Sequence, residues 1–368
     1  MILVDPLRTG GAVPDEVKKR LLEFVDGYSV CAYCQGDLHK ITKPNIKSFI
    51  EELREWLKAY EVRLTHGARE SFFALFFALY KSRVKEGKAA PVIIADGNTH
   101  YSLELAAERA MFDLIKTKVG AYPEYKIIEE DYEDKILGVK KKYGLLPALL
   151  AITYPDGHYG NFSDIKKISK IAKDYNIPIM VNGAYLIGRV KTDMEELNAD
   201  ALVASGHKSM ASSGPIGLLA LNEELSKDVL KKSKLHGDKE VELLGCTVRG
   251  LPAISLMLSF PYVKKRVEKW EEKVEIARYF INKAGELGLK LLGERPHNHD
   301  LMLFETPQFY EISIKRKDRF FLYKELKKRG IIGIKPGITK VVKLSTYLLN
   351  REEADFVVSS FKEILEEG

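Results

Sequence analysis

Ala201-Leu202-Val203-Ala204-Ser205-Gly206-His207-Lys208-Ser209 is the stretch that decides the fold. Four small apolar residues predict a buried strand. The Ser-Gly break that follows ends it just before a lysine, so Lys208 stands beyond a strand end, where open α/β sheets bind ligands. Small and hydroxylic residues continue to Gly214, which lets an anion approach backbone amides. An amine in such a place can condense with an aldehyde cofactor. The same letters also fit a surface lysine in a Gly/Ser loop.

Similar apolar runs lie upstream at Val92 to Ala95, Leu149 to Ile152 and Ile179 to Val181. Each reads as a buried parallel strand. Glu61 to Leu64 reads as another strand, and Ile216 to Leu221 as an edge strand. Between them, Ser71 to Tyr80, Ser102 to Ala110 and Asp164 to Tyr175 have helical patterns; the last puts Ile165, Ile168, Ile171 and Ala172 on one face. Strands alternating with helices define an α/β layered sheet. Beyond residue 250 the pattern changes. A long charged helix is predicted over Tyr262 to Leu287, and Glu352 to Glu366 closes the chain as an amphipathic helix. The division read from this is an N-terminal arm over 1–45, irregular and packed on something else, a large domain over 46–245 and a small C-terminal domain over 246–368.

The chain has 368 residues, a net charge of +6 and a pI of about 8.8. No apolar run reaches the roughly 18–20 residues of a membrane span, and Met1 to Pro6 lacks the basic and apolar stretches of a signal peptide. The reading is a cytoplasmic protein with no membrane partner. Gln occurs only at positions 35 and 308 amid many Lys and Glu, a composition that fits a thermophile. Basic clusters at Lys140 to Lys142, Lys227 to Lys239 and Lys315 to Arg329 fit solvated helix faces or a track for an RNA backbone. Cys31, Cys34 and Cys246 are the three cysteines; in a reducing compartment they read as reactive thiols or ligands. Cys31, Cys34 and His39 offer only half a zinc site, so no metal centre is expected from them.

Three more segments fall at predicted strand ends. Thr65-His66-Gly67-Ala68-Arg69-Glu70 enters a helix, and free amides at Ala68 and Arg69 suit a phosphate. Asn98-Thr99-His100-Tyr101 offers a flat ring that can stack on a heterocycle. Asn182-Gly183-Ala184-Tyr185 follows the strand at Ile179. Each also fits an ordinary turn. In this order and with Lys208, they match the large domain of fold-type I enzymes dependent on pyridoxal phosphate (PLP), over residues 60 to 222. Asn182 stands where that class usually has an acidic residue facing the pyridine nitrogen; an amide can hydrogen-bond there but cannot hold the nitrogen protonated by charge.

The whole chain resembles the Sep-tRNA:Cys-tRNA synthase family. The resemblance is carried by Asp26 to Cys31, Ile152 to Gly157 with Tyr159-Gly160-Asn161, Val181 to Tyr185, and the Lys208 segment through Gly217. It is carried further by Glu242 to Cys246, Pro296 to Leu301, and Lys343 to Tyr347. It implies an α/β fold-type I transferase: a large domain with a mainly parallel sheet between helices, and a smaller α+β C-terminal domain. It implies that Lys208 forms a Schiff base with PLP, that Ala68, Arg69, Ser205, Gly206 and His207 hold the phosphate, that Asn182 faces the ring nitrogen and that His100 covers the ring. The implied reaction replaces the phosphate of O-phosphoseryl-tRNA(Cys) by sulfur, with Lys208 as general base. Cys31, Cys34 and Cys246 would carry the sulfur as a persulfide or hold an iron–sulfur cluster. A homodimer working with phosphoseryl-tRNA synthetase is implied as well. Lys343 is aligned with the position of an arginine that pairs an α-carboxylate in enzymes for free amino acids. The alternative function is a cysteine desulfurase or β-lyase acting on a free amino acid.

Overall fold

The computed structural model describes residues 1–25, 29–31, 46–245 and 247–368, without the side chains of 29–31, 247 and 249. Within these, the first strands are β1 (Ile2–Leu3), β2 (Ser29–Cys31), β3 (Glu61–Thr65), β4 (Ala90–Ala95), β5 (Asp113–Lys116), β6 (Pro147–Thr153) and β7 (Ile179–Asn182). They are followed by β8 (Ala201–Ser205), β9 (Gly217–Leu221), β10 (Thr247–Arg249), β11 (Lys290–Leu292), β12 (Leu301–Glu305), β13 (Ile331–Ile332) and β14 (Val341–Ser345). One sheet has seven strands in the order β3-β9-β8-β7-β6-β4-β5. Strands β8, β7, β6, β4 and β5 pair in parallel, whereas β9 runs antiparallel to both β8 and β3.

Alternation explains how this sheet is buried. Val92, Ile94, Leu150, Ile152, Val181, Leu202 and Ala204 face one apolar core. Their chain neighbours Ile93, Ala95, Leu149, Ala151, Met180, Ala201 and Val203 face another. Side chains two apart share a face, so a strand covered on both sides must be apolar throughout. The helices Ile46–Leu57, Asp131–Tyr143 and Ile165–Asp174 cover the first face. The helices Ala68–Leu79, Tyr101–Arg109 and Glu223–Val229 cover the second. The observed class is the predicted one, α/β with a mainly parallel sheet between helices. A three-stranded antiparallel sheet, β11-β12-β14, packs with C-terminal helices in a core of its own.

Three sequence expectations are corrected. The Ile216 to Leu221 strand is not at an edge: β9 lies between β3 and β8, with every residue buried. The helix expected over Tyr262 to Leu287 is two helices, Gly250–Val267 and Trp270–Glu286, because Lys269 leaves helical geometry (φ −100°, ψ 20°) and its amide turns back to Arg266. The first 25 residues are not irregular throughout. They carry the helix Asp15–Leu21 and the strand β1, which pairs with β13 and seats Val4 in the C-terminal core.

Gly217, where β9 starts, faces the β3 end closely. A Cβ there would stand 2.1 Å from Thr65 Oγ1 and 2.4 Å from the Gly67 carbonyl carbon. Gly217→Ala should therefore lower stability by about 1–3 kcal/mol in urea unfolding. An unchanged unfolding midpoint would show that the turn has room to yield.

Candidate active site

Parallel strands deliver their carboxyl ends to one edge, so the predicted segments meet there. Thr65, Ala95, Thr153, Asn182 and Ser205 end β3, β4, β6, β7 and β8. After β3, Gly67 adopts φ 148° and the helix Ala68–Leu79 begins with no side-chain cap. Glu70 instead bonds back to the His66 amide at 2.5 Å. The helix leaves the amides of Ala68 and Arg69 without intrahelical acceptors, at the positive end of its dipole. After β8, Gly206–Ser209 makes one helical turn. Gly206 has no room for a Cβ, which would lie 2.6 Å from Ile216. His207 Nδ1 is buried with no partner among the described residues.

Lys208 is half-buried, its ammonium 5.0 Å from the centre of the Tyr185 ring. Burial, then the charges of Lys343, Arg189 and Arg69, bring its pKa down to about 8. His100 lies in the same field: burial and then Lys208 bring its pKa down to about 4. It is neutral at physiological pH. Its Nδ1 accepts from the Ser102 amide at 3.3 Å and caps the helix Tyr101–Arg109, which places the ring proton on Nε2.

Asn182 is buried, and its Oδ1 accepts from the Ala184 amide at 3.4 Å. Asp156 ties the loop after β6: its carboxylate accepts from the amides of His158 (2.8 Å), Tyr159 (2.7 Å) and Asn161 (3.2 Å). Burial raises its pKa to about 6 against those bonds and the charge of Lys343. Lys343 reaches across from β14 and donates to the Gly157 carbonyl. The C-terminal sheet thus supplies a cation to the edge of the large one.

The cysteines fall largely outside the described residues: Cys34 and Cys246 are not among them, nor is the Cys31 side chain. The backbone of Cys31 pairs with Thr247 in the β2–β10 ladder, and Thr247 is next in sequence to Cys246. Among the described residues no group of three or more His, Cys, Asp or Glu could hold a metal ion. Of the basic clusters, the one from Lys227 is largely paired within itself, through Lys227–Glu223, Lys231–Asp228 and Lys239–Asp238. Arg329 pairs with Glu325, Glu363 and Glu367. Most of the side chains in these pairs are exposed.

Sequence reasoning missed Arg189, Asp300 and Gly10-Gly11. Arg189 and Asp300 are fully buried and form an ion pair. A Cβ on Gly10 would lie 2.5 Å from the Lys208 carbonyl oxygen, and one on Gly11 would lie 1.9 Å from that of His207. The pair of glycines was the legible signal for this close backbone approach.

The site fits PLP. It offers a lysine amine of lowered basicity, an uncapped helix N-terminus and an unpartnered buried imidazole nitrogen beside a tight glycine turn. A family model described as O-phosphoseryl-tRNA(Sec) selenium transferase matches residues 40–366. The fold is that of fold-type I PLP enzymes: a cysteine desulfurase from Thermococcus onnurineus NA1 superposes with a TM-score of 0.77 at 18% identity, covering 100% of this chain and 95% of the other. The O-phospho-L-seryl-tRNA:Cys-tRNA synthase of Methanosarcina acetivorans is 46% identical over 99% of this chain and 93% of its own. A solved SepCysS–SepCysE N-terminal domain complex matches with a TM-score of 0.91 at 43% identity, covering 100% of this chain and 95% of that one. The chain belongs to the O-phospho-L-seryl-tRNA:Cys-tRNA synthase family.

In cofactor-free protein the Lys208 amine should lose its proton around pH 8. Its trinitrophenylation, followed by peptide mapping, should rise with pH through that value. A midpoint at the ordinary lysine value of about 10.4 would contradict the burial and charge described here.

Proposed function

We propose that this chain converts O-phosphoseryl-tRNA(Cys) to cysteinyl-tRNA(Cys), replacing the β-phosphate by sulfur with PLP held on Lys208. The observation that carries the reading is the half-buried Lys208 amine among cations at the sheet edge, in a chain 46% identical to a synthase of that name over nearly its whole length. The amides of Ala68 and Arg69, with Ser205, Gly206 and His207, would hold the cofactor phosphate. Asn182 would meet the ring nitrogen and His100 would cover the ring. When bound, PLP supplies an electron-withdrawing ring that eases loss of the α-proton and departure of the β-phosphate.

The protein groups then have separable tasks. Lys208 Nζ, neutral in appreciable part near pH 8, takes the α-proton as general base. Lys343 and Arg69 keep the site positive where charge builds on the departing phosphate. With neutral Asn182 at its nitrogen the ring would be a weaker electron sink than an aspartate-held pyridinium, which suffices for a β-carbon with a good leaving group. An aminoacyl ester has no free α-carboxylate, and accordingly Lys343 stands on β14 in place of a forked arginine.

Sulfur delivery is assigned to Cys31, Cys34 and Cys246. The outer sulfur of a persulfide on one adds to the β-carbon, and a second thiol attacks the mixed disulfide to release the cysteinyl product. An external thiol reduces the protein disulfide left behind before a sulfane-sulfur donor reloads it. The same thiols are the donors an iron–sulfur cluster would take. The proposal includes a cytoplasmic homodimer that takes its substrate from phosphoseryl-tRNA synthetase, and the division at 45 and 245. Among the described residues no helix is long and apolar enough to cross a membrane.

Phosphoseryl-tRNA(Cys) with a sulfur donor should yield cysteinyl-tRNA(Cys). Lys208→Ala should abolish the visible absorbance and slow turnover by about 10³-fold or more. Turnover of free cysteine or free phosphoserine with equal efficiency would overturn the reading in favour of a desulfurase or β-lyase.

A further inference from the structure

Arg189 lies outside the proposed cofactor contacts, yet its guanidinium is fully buried and binds several segments at once. Nε donates to Ser209 Oγ at 3.0 Å, and Nη2 to the carbonyl of Lys208 at 3.3 Å. Nη2 also meets the Pro6 carbonyl at 3.2 Å and Thr9 Oγ1 at 3.4 Å. Nη1 pairs with Asp300, whose Oδ2 takes Ser345 Oγ at 2.5 Å. Ser345 Oγ lies 2.9 Å from Thr9 Oγ1, which closes the ring. The guanidinium carbon stands 5.5 Å from the Tyr185 ring centre and 4.7 Å from that of Tyr347.

Three distant parts of the chain therefore meet behind one turn of backbone. Asp300 precedes β12 and Ser345 ends β14, so the C-terminal sheet is fastened through them. Thr9 and Pro6 belong to the N-terminal strap. Gly10 seals the strap to the turn, accepting from the Ala211 amide at 3.2 Å and from Arg266 at 3.3 Å. Ser209 in turn donates to the Ala184 carbonyl at 3.0 Å, next to Tyr185, whose ring lies beneath the Lys208 amine. A buried ion pair adds little stability over apolar side chains of like volume, because both charges lose their water. What apolar residues cannot reproduce is the fork that grips the Lys208 carbonyl and the Ser209 hydroxyl together.

We propose that Arg189 is a positioning residue for Lys208: anchored by Asp300, its guanidinium fixes the Lys208–Ser209 backbone relative to the C-terminal sheet and the N-terminal strap, and so sets where the amine meets the cofactor. The inference rests on Lys208 as the cofactor lysine. Wild-type protein without a visible cofactor band would remove that assignment before any variant is made, so the two failures are distinguishable.

The test uses full-length holoenzyme and compares the variant carrying Arg189→Met and Asp300→Leu together with Arg189→Lys. The paired replacement removes both buried charges without leaving either unpaired, so it should fold, melting below wild type because the Lys208 and Pro6 carbonyls lose this donor. Its bound PLP should dissociate at least about tenfold faster, with a changed visible circular dichroism that reports the seating of the ring. Arg189→Lys keeps the charge but not the fork and should show the same two changes; it decides alone if the paired variant does not fold. Native dissociation rate and native dichroism in a folded variant would make Arg189 a structural bolt only and overturn the proposal.

Discussion

A primary amine surrounded by other cations is an unstable arrangement unless something compensates it. Burial disfavours the charged form of Lys208 most, and Lys343, Arg189 and Arg69 are close enough to disfavour it further. Of these neighbours Arg189 is neutralised by Asp300, and Lys343 lies near the Asp156 carboxylate, itself raised to about 6. The edge still offers more positive than negative charge. Such a site favours an anion, and a phosphorylated cofactor and a phosphorylated substrate bring two. Burial, together with this field, gives Lys208 the lowered basicity that a base and nucleophile needs near neutral pH.

The fold produces this crowding by simple geometry. Strands running one way present their ends together, and each end here turns sharply into a short polar segment. Gly217 and Gly206 allow the turns after β3 and β8 to approach closely, which brings the open helix N-terminus at Ala68 toward the Lys208 turn. The smaller sheet contributes Lys343 from its own strand. The candidate site thus draws on both apolar cores, and the buried Arg189–Asp300 pair lies where they join.

Much of this was legible in the residues. The buried strands announced themselves because both faces are covered, so every position is apolar. Lys208, His100 and Asn182 were legible because each follows such a run, and Ala68-Arg69 because they open a helix after β3. Other features were hidden for physical reasons. The strand β5 reads Asp-Leu-Ile-Lys, too short and polar-ended to stand out. The position of β9 depends on pairing across the chain, which periodicity does not encode. Arg189 looked like any surface arginine, since only tertiary contacts show that Thr9, Asp300 and Ser345 surround it. The break at Lys269 escaped notice because charged residues on both sides have good helix propensity. The cysteine chemistry was read from resemblance, and only the pairing of Cys31 with Thr247 bears on it structurally.

All of the proposed chemistry passes through one side chain, so the most direct measurement is chemical. Holoenzyme reduced with borohydride and digested should yield one modified peptide, with the cofactor fixed on Lys208. Reduction that labels a different lysine, or leaves position 208 unmodified in cofactor-saturated protein, would contradict the account.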